Sequence, residues 1–183
     1  MSASMNQLSP EVIVATDAFT SLTDDIVRTL KRGSVSAERG RMRFCAHQTA
    51  EDPLHEMLIS LARTTYIRPH RHSGKSESVH VVEGCGDLVR FDEAGGLVDV
   101  LRIAPHGSGR CFYYRMATPQ YHMLIVRTDV LVVHETTNGP FRPDDTEFAP
   151  WAPEEGNIEG RAAFLAHVEK EIVARRASLQ EPA

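Results

Sequence analysis

The sequence predicts an all-β core, either a sandwich or a jelly-roll barrel, flanked by two α-helices. In the middle of the chain, short segments rich in β-branched and aromatic residues alternate with Gly, Pro and Asp, a pattern typical of strands joined by turns. A series of short strands at this spacing builds sandwiches and jelly-roll barrels. We predict seven strands, over residues 56–67, 76–83, 87–91, 97–103, 111–115, 121–127 and 130–136.

An amphipathic helix is predicted on each side of these strands. Residues 16–32 carry apolar side chains at helical spacing, and Gly33 is placed to end this helix. Residues 158–176 repeat the pattern, with Arg175 and Arg176 in a last turn where cations favour the helix dipole. We therefore divide the chain into an N-terminal segment (1–38), a barrel domain (39–155) and a C-terminal helix (156–183).

Composition and charge exclude several classes of protein. The 183 residues are 42% hydrophobic, which is enough to form one globular core. The formal net charge is -5 and the pI is near 6.0, so the chain lacks the cationic excess of a nucleic-acid-binding protein. There is no membrane-spanning apolar run, no signal-peptide pattern and no CxxC spacing among the cysteines. We expect a soluble, cytoplasmic protein that does not bind membranes.

Four residues form a candidate metal site. His70 and His72 are two residues apart, so on an extended strand both imidazoles project from the same face. Glu77 opens the next apolar segment, after a turn that brings its carboxylate back beside the histidine pair. His122 shares the parity of Leu124 in a later strand, and its imidazole is therefore expected inside the barrel.

Three imidazoles and one carboxylate suit one divalent transition metal ion: Fe, Mn, Ni, Co or Zn. In an octahedral arrangement, these donors leave two positions for water or a bidentate ligand. The alternative is that the histidine pair lies on a solvent-exposed strand and that Glu77 is a surface carboxylate or ion-pair partner.

These residues resemble the metal-binding motifs of the cupin superfamily. The first cupin motif, HxH followed by four residues, Glu, six residues and Gly, is matched throughout by His70, His72, Glu77 and Gly84. The resemblance implies a cupin-type double-stranded β-helix, which is a jelly-roll barrel, with the metal inside it.

The second cupin motif, PxGxxHxxxN, is matched in part. His122 takes the place of the metal-binding histidine, whereas Ala117, Pro119 and Val126 replace the motif's Pro, Gly and Asn. The resemblance therefore supports the first three ligands more strongly than His122.

A narrower resemblance, to the WbuC family of cupin-fold metalloproteins, covers most of the chain. This family is associated with bacterial surface-polysaccharide gene clusters, which implies a role in polysaccharide biosynthesis. The similar segments are RMR (41–43) with His47, TYIRPHRH (65–72), FDEAG (91–95), GPF (139–141) and FAPWAP (148–153).

Several further residues are candidates for substrate binding or catalysis. If the strand through Tyr66 and Arg68 is regular, both side chains face the metal; Arg68 then needs an anionic ligand or an internal acid. Arg41, Arg43 and His47 form a basic cluster that either holds an anion over the barrel mouth or lies in a solvated loop.

The last strands add further candidates. Tyr114 is expected to line the pocket, and alternation allows only one of His134 and Glu135 to point inward. We predict Tyr66 and His134 as catalytic bases.

The preferred hypothesis is a metal-dependent enzyme acting on a small anionic or sugar-type molecule, by isomerase, epimerase or lyase chemistry at a Lewis-acidic metal. The alternatives are an Fe(II)-dependent dioxygenase and a non-catalytic cupin that binds metal or sugar. Exposed strand edges are compatible with a homodimer.

Overall fold

The computed structural model describes residues 4–179. Residues 1–3 and 180–183, the outer ends of the predicted N-terminal segment and C-terminal helix, lie outside this range. The elements in chain order are β1 (Met5–Ser9), β2 (Val12–Ala15), α1 (Asp24–Ser36), β3 (Arg41–Cys45), β4 (Leu54–Ala62), β5 (His70–His72), β6 (Glu77–Glu83), β7 (Gly86–Phe91), β8 (Leu97–Ile103), β9 (Tyr113–Met116), β10 (Tyr121–Val126), β11 (Val130–Asn138), a short 3-10 helix (Pro143–Asp145), β12 (Thr146–Phe148) and α2 (Ile158–Leu179).

The strands form two sheets that face each other. The larger sheet has the order β1-β2-β3-β4-β11-β6-β9, and the smaller has the order β12-β5-β10-β7-β8. Buried residues from both, including Val79 and Val133 of the larger sheet and Leu88 and Val126 of the smaller, pack together in the interior. The predicted jelly-roll core is therefore confirmed.

The two helices cover the outer faces of the sheets. Leu30 of α1 packs against Phe44 and Val132 on the outer face of the larger sheet. Val168 and Ile172 of α2 are buried in a cluster on the outer face of the smaller sheet. Each sheet thus has its inner face against the other sheet and part of its outer face against a helix.

The N-terminal part differs from the prediction. The first helix spans Asp24–Ser36 rather than 16–32. Phe19, an apolar residue of the predicted range, is 82% exposed. Gly33 lies inside the helix and does not end it. A Cβ at this position would stand 2.0 Å from the Met42 sulfur, so the missing side chain allows the close approach of α1 to β3. Strands β1, β2 and β3 were not predicted; they extend the larger sheet along one edge.

The predicted strand over residues 56–67 ends early, at Ala62. Residues 63–69 have no regular structure before β5 begins at His70. The two-residue alternation therefore cannot be carried from His70 back to Tyr66. Within residues 4–179, no helix is long and apolar enough to cross a membrane.

Candidate metal centre

Neighbouring strands of the smaller sheet bring the three histidines together. His122 of β10 is paired directly with His70 of β5, so the two side chains lie on the same face of the sheet. His72 lies two residues further along β5, on that face. The ring centroid of His70 is 4.6 Å from that of His122 and 5.0 Å from that of His72.

Glu77 approaches the three imidazoles from the opposite sheet. It is the first residue of β6, and its side chain is almost fully buried. One carboxylate oxygen lies 3.0 Å from His72 Nε2, and the other lies 3.7 Å from His122 Nε2. Donor atoms of His70, His72, Glu77 and His122 all lie within 4.8 Å of one another, so all four predicted ligands are brought together.

Each imidazole is held from the side that faces away from this cluster. His70 Nδ1 donates to the Arg68 carbonyl and His122 Nδ1 donates to the Gln120 carbonyl, both at 2.9 Å. Because a carbonyl oxygen only accepts, these two rings carry their proton on Nδ1 and present the Nε2 lone pair inward. His72 Nδ1 lies 3.2 Å from the Thr146 hydroxyl.

The pKa values also favour the protonation states that a metal requires. Burial, followed by the neighbouring His122, lowers the pKa of His70 to about 4, so this ring is neutral at pH 7. Burial acts to raise the pKa of Glu77, but the hydrogen bond from His72 and the other histidines outweigh it and lower the pKa. A neutral imidazole and an ionised carboxylate are the ligand forms of these groups.

These donors fit a divalent transition metal ion. Three Nε2 atoms and one carboxylate match the ligands that Fe, Mn, Co, Ni and Zn accept, and the carbonyls behind the rings are the usual outer partners of metal-bound histidine. A cavity of about 10 Å³ adjoins His72, Glu77 and His122, which is room for about one water molecule. Its remaining walls are Lys75, Met116, Thr118 and Gln120.

Glu135, rather than His134, points into the barrel. It is paired with Val79 of β6, which belongs to the interior core, and Glu77 lies diagonally across in the same face. The residue keeps a small exposed fraction, but burial among protein atoms, followed by the charge of Glu77, raises the pKa of its carboxyl to about 8. Sequence alternation named Glu135 as one of two choices and did not select it.

Tyr114 faces the interior but does not line the cavity beside the histidines, and its role in substrate binding stays a prediction. It is paired with Val79 from the opposite side to Glu135, and it belongs to the buried core. Burial, followed by the charge of Glu77, raises the pKa of its hydroxyl well above the usual value. Tyr114 therefore stays neutral beside the two carboxyl groups.

The structure does not place Tyr66 in the metal centre. Its ring is buried in the outer cluster beneath α2, and its hydroxyl donates to the Pro153 carbonyl at 2.9 Å. Burial raises the pKa of this hydroxyl to about 12. The predicted role of Tyr66 as a base is therefore contradicted, because the irregular chain before β5 turns its side chain away from the interior.

His134 also lies outside the metal centre. Its neighbours Val133 and Glu135 face the interior, so the imidazole lies on the outer face, with Nε2 4.0 Å from a carboxylate oxygen of Glu56. The predicted catalytic role of His134 is contradicted by this orientation. His80 of β6 is paired with His134 and is exposed.

The four residues predicted to bind an anion do not line the cavity beside the histidines, as far as residues 4–179 show. Arg41 pairs with Glu155 at 2.5 Å, and Arg43 is exposed on β3. His47 stacks on His55 with ring centroids 4.0 Å apart. Arg68 donates to the Ala149 carbonyl and lies over the ring of Phe148, 5.3 Å from its centroid.

Lys75 is the cationic residue that lines this cavity, and sequence reasoning missed it. Its position in the turn between His72 and Glu77 was the available signal, because a turn between two ligands must lie close to the site. Charge alone could not identify it among the 20 lysines and arginines of the chain.

Comparisons with known proteins identify the fold. No curated protein matches the sequence, and a family model described as a domain of unknown function (DUF6016) matches residues 22–103, short of half the chain. Among solved structures, protein SO0799 from Shewanella oneidensis superposes with a TM-score of 0.52 at 11% identity, over 70% of this chain and 85% of that one.

Two further solved structures are more distant. Oxalate oxidase in complex with the substrate analogue glycolate has a TM-score of 0.47 at 12% identity, over 63% of this chain and 58% of that one. A sugar phosphate isomerase from a cupin superfamily, from Silicibacter pomeroyi, has a TM-score of 0.38 at 20% identity, over 48% of this chain and 52% of that one. The matched region thus spans little more than half of these two proteins.

The two opposed sheets form a jelly roll with flanking helices, and SO0799 shares this fold over most of its length. At these identities the likeness concerns the fold alone. The narrower resemblance to the WbuC family stays a prediction.

Proposed function

We propose that this protein is a metal-dependent enzyme that holds one divalent transition metal ion on His70, His72, Glu77 and His122 and acts on a small molecule at the barrel mouth. One observation carries the proposal: the donor atoms of these four side chains converge within 4.8 Å, from two opposed sheets. Such convergence of three imidazoles and a carboxylate is what a transition metal site requires.

A bound ion would supply Lewis-acid stabilisation of negative charge on a ligand oxygen. The protein's own contribution is to fix the ligands. The carbonyls of Arg68 and Gln120 and the hydroxyl of Thr146 set the orientation of the three rings. Such outer hydrogen bonds hold ligating imidazoles in the orientation that metal binding requires.

Glu135 is the group that we assign to proton transfer. It lies on the inner face of the larger sheet, on the strand next to that of Glu77, whereas Tyr66 and His134 do not face the interior. A carboxyl with a pKa of about 8 is close to working pH and can both accept and return a proton. We assign the reaction class as proton transfer at a carbon next to a carbonyl, as in isomerases, epimerases and lyases.

The burial of Glu135 favours an enzyme over a protein that only stores a metal. Placing an ionisable carboxyl among Val79, Val133 and Tyr114 opposes its ionisation and costs stability. A pure binding site gains nothing from such a group, whereas acid–base catalysis uses a carboxyl whose pKa has been raised.

The test is deuterium exchange in D2O with the metal-containing protein and a panel of sugar phosphates and nucleotide sugars. We expect loss of a proton signal next to a carbonyl in at least one compound, and loss of this exchange in Glu135→Gln. The matched control is Glu56→Gln, the same chemical change on the outer face of β4, which should exchange at the wild-type rate. A wild-type protein without exchange, or with iron as its main metal and oxygen uptake instead, would contradict the proposal.

We extend the proposal to bacterial surface-polysaccharide synthesis. The support is the resemblance of the segments 65–72 and 148–153 to the WbuC family. Nucleotide sugars are in the panel for this reason, and exchange confined to compounds unrelated to sugars would contradict the extension.

A further inference from the structure

Lys75 is held in the wall of the metal cavity. Its side chain is 11% exposed, and the cavity that it lines is shared with His72, Glu77 and His122. The lysine comes from the turn between β5 and β6, which also carry three of the four candidate ligands. Lys75 therefore stays beside the centre as long as both strands are in place.

Two of the three ammonium protons of Lys75 have identified acceptors. The Nζ atom donates to the Pro140 carbonyl at 3.0 Å and pairs with an Asp145 carboxylate oxygen, also at 3.0 Å. An ammonium group has three N–H donors, and among residues 4–179 the third has no hydrogen-bond acceptor. The ring of Phe141, with its centroid 5.8 Å from Nζ, is a weak competitor, so this donor is left for a group in the cavity. Asp145 is the competing anion, since its charge faces the same ammonium.

We propose that Lys75 forms an anion subsite beside the metal centre, which takes one oxygen of a small carboxylate whose other oxygen faces the four ligands. The inference rests on the proposed metal site and specifies the part of its substrate that enters the cavity: a group with one negative charge. The cavity of about 10 Å³ has room for the oxygen end of such a molecule and not for a whole sugar, whose remainder would lie in the mouth.

The charges of the site favour a monoanion. A divalent ion with ionised Glu77 leaves one positive charge, and the Lys75–Asp145 pair is neutral. One negative charge on the ligand then balances the centre. This balance argues against neutral ligands and against ligands with several negative charges in the cavity itself.

A purely structural role for Lys75 would be to tie down the segment around Pro140 and Asp145. Substitution of either Lys75 or Asp145 breaks the same ion pair, so a structural role predicts the same direction of change in both variants. The anion subsite predicts opposite directions, because one variant removes the attraction for an anion and the other removes a competing negative charge.

The experiment measures formate binding to protein reconstituted with one cobalt(II) per chain, using the visible absorption of the ion. Formamide, a neutral molecule of nearly the same size and shape, is the control ligand. We expect Lys75→Gln to weaken formate binding about tenfold, the usual effect of losing one charged hydrogen bond, and Asp145→Asn to strengthen it roughly threefold. Formamide binding should not change in either variant.

A control and a second variant keep the outcome interpretable. Lys31→Gln, which alters a lysine paired with Glu83 at the surface, should bind formate as the wild type does. If Lys75→Gln fails to fold, Lys75→Arg is the substitute variant that keeps the charge. The stronger formate binding expected for Asp145→Asn then tests the subsite independently. Cobalt bound with formate affinity that is equal in all variants, or shifted in the same direction by both, overturns the anion subsite alone. Failure to bind cobalt overturns the metal site, and the subsite with it.

Discussion

His122 lies directly opposite His70 in the antiparallel pairing of β10 with β5, and their ring centroids are 4.6 Å apart. This pairing decides whether a metal site exists, because a slip of one residue in either strand would move one imidazole to the outer face. Leu124 and Val126, which share the parity of His122, pack in the interior core and fix this register.

Replacing one histidine should remove the metal. We expect His70→Ala to lose nearly all the metal that the wild type retains after purification, because three donors remain and a water must replace the fourth. His80→Ala is the matched control, since His80 is exposed on β6 outside the site. Elemental analysis measures both, and wild-type metal content in His70→Ala would show that the ion binds elsewhere.

The hydroxyl of Thr146 should contribute to metal affinity without touching the ion. It lies 3.2 Å from His72 Nδ1, so Thr146→Val removes the group that orients this ring. We expect metal affinity to fall about tenfold, as for other outer partners of metal-bound histidine. Competition with a chelator measures the affinity, and Thr136→Val, on the outer face of β11, should leave it unchanged. Equal affinities of the two variants would contradict this role.

Glu135 should make the metal-free protein less stable as pH rises. Its pKa is about 8 in the fold against 4.5 for the ordinary carboxyl, so the folded state prefers the protonated form. The stabilising contribution is complete below pH 4.5 and is lost as pH rises through 8. Glu135→Gln, which does not titrate, should therefore match the wild type near pH 4.5 and exceed its unfolding free energy near pH 8.

The size of this difference near the upper end is on the order of a few kcal/mol. Urea unfolding of the metal-free proteins across this range measures it. A constant difference between Glu135→Gln and wild type at every pH would show that the carboxyl titrates normally in the fold.

How much of the site could be predicted depended on regular strands. The parity of His70, His72 and His122 was predicted correctly because all three lie in extended segments with a two-residue period. Tyr66 was misplaced because residues 63–69 are irregular, and the period does not continue through them. Val132 and Val133 are both buried because β11 is covered on both faces, so apolar pattern did not show which of His134 and Glu135 faced inward.

The charged residues were the least predictable part. Arg41 is paired with Glu155, and Lys75 with Asp145, residues that are 70 or more positions apart in the sequence. No local pattern identifies such a partner, because the pairing is created by the fold. The same holds for Asp87, which is fully buried between Arg127, in the turn after β10, and Arg176 of α2.

Asp87 should be a major contributor to stability. It accepts from Arg127 at 2.6 Å and pairs with Arg176 of α2 at 2.8 Å, so Asp87→Asn removes the anion of Arg176 and leaves Arg127 with Glu169 alone. We expect a loss of about 3 kcal/mol or more in unfolding free energy. Asp99→Asn, which breaks a half-exposed pair with Arg90, should cost less than about 1 kcal/mol. Chemical denaturation compares them, and similar losses would contradict the structural role of the buried cluster.

The most direct measurement is anomalous X-ray diffraction from crystals of the protein as purified, recorded on both sides of the absorption edge of its main metal. We expect one strong peak about 2.0–2.2 Å from Nε2 of His70, His72 and His122 and from a carboxylate oxygen of Glu77. A metal-containing crystal whose peak lies elsewhere, with none between these four side chains, would contradict the assignment of the site.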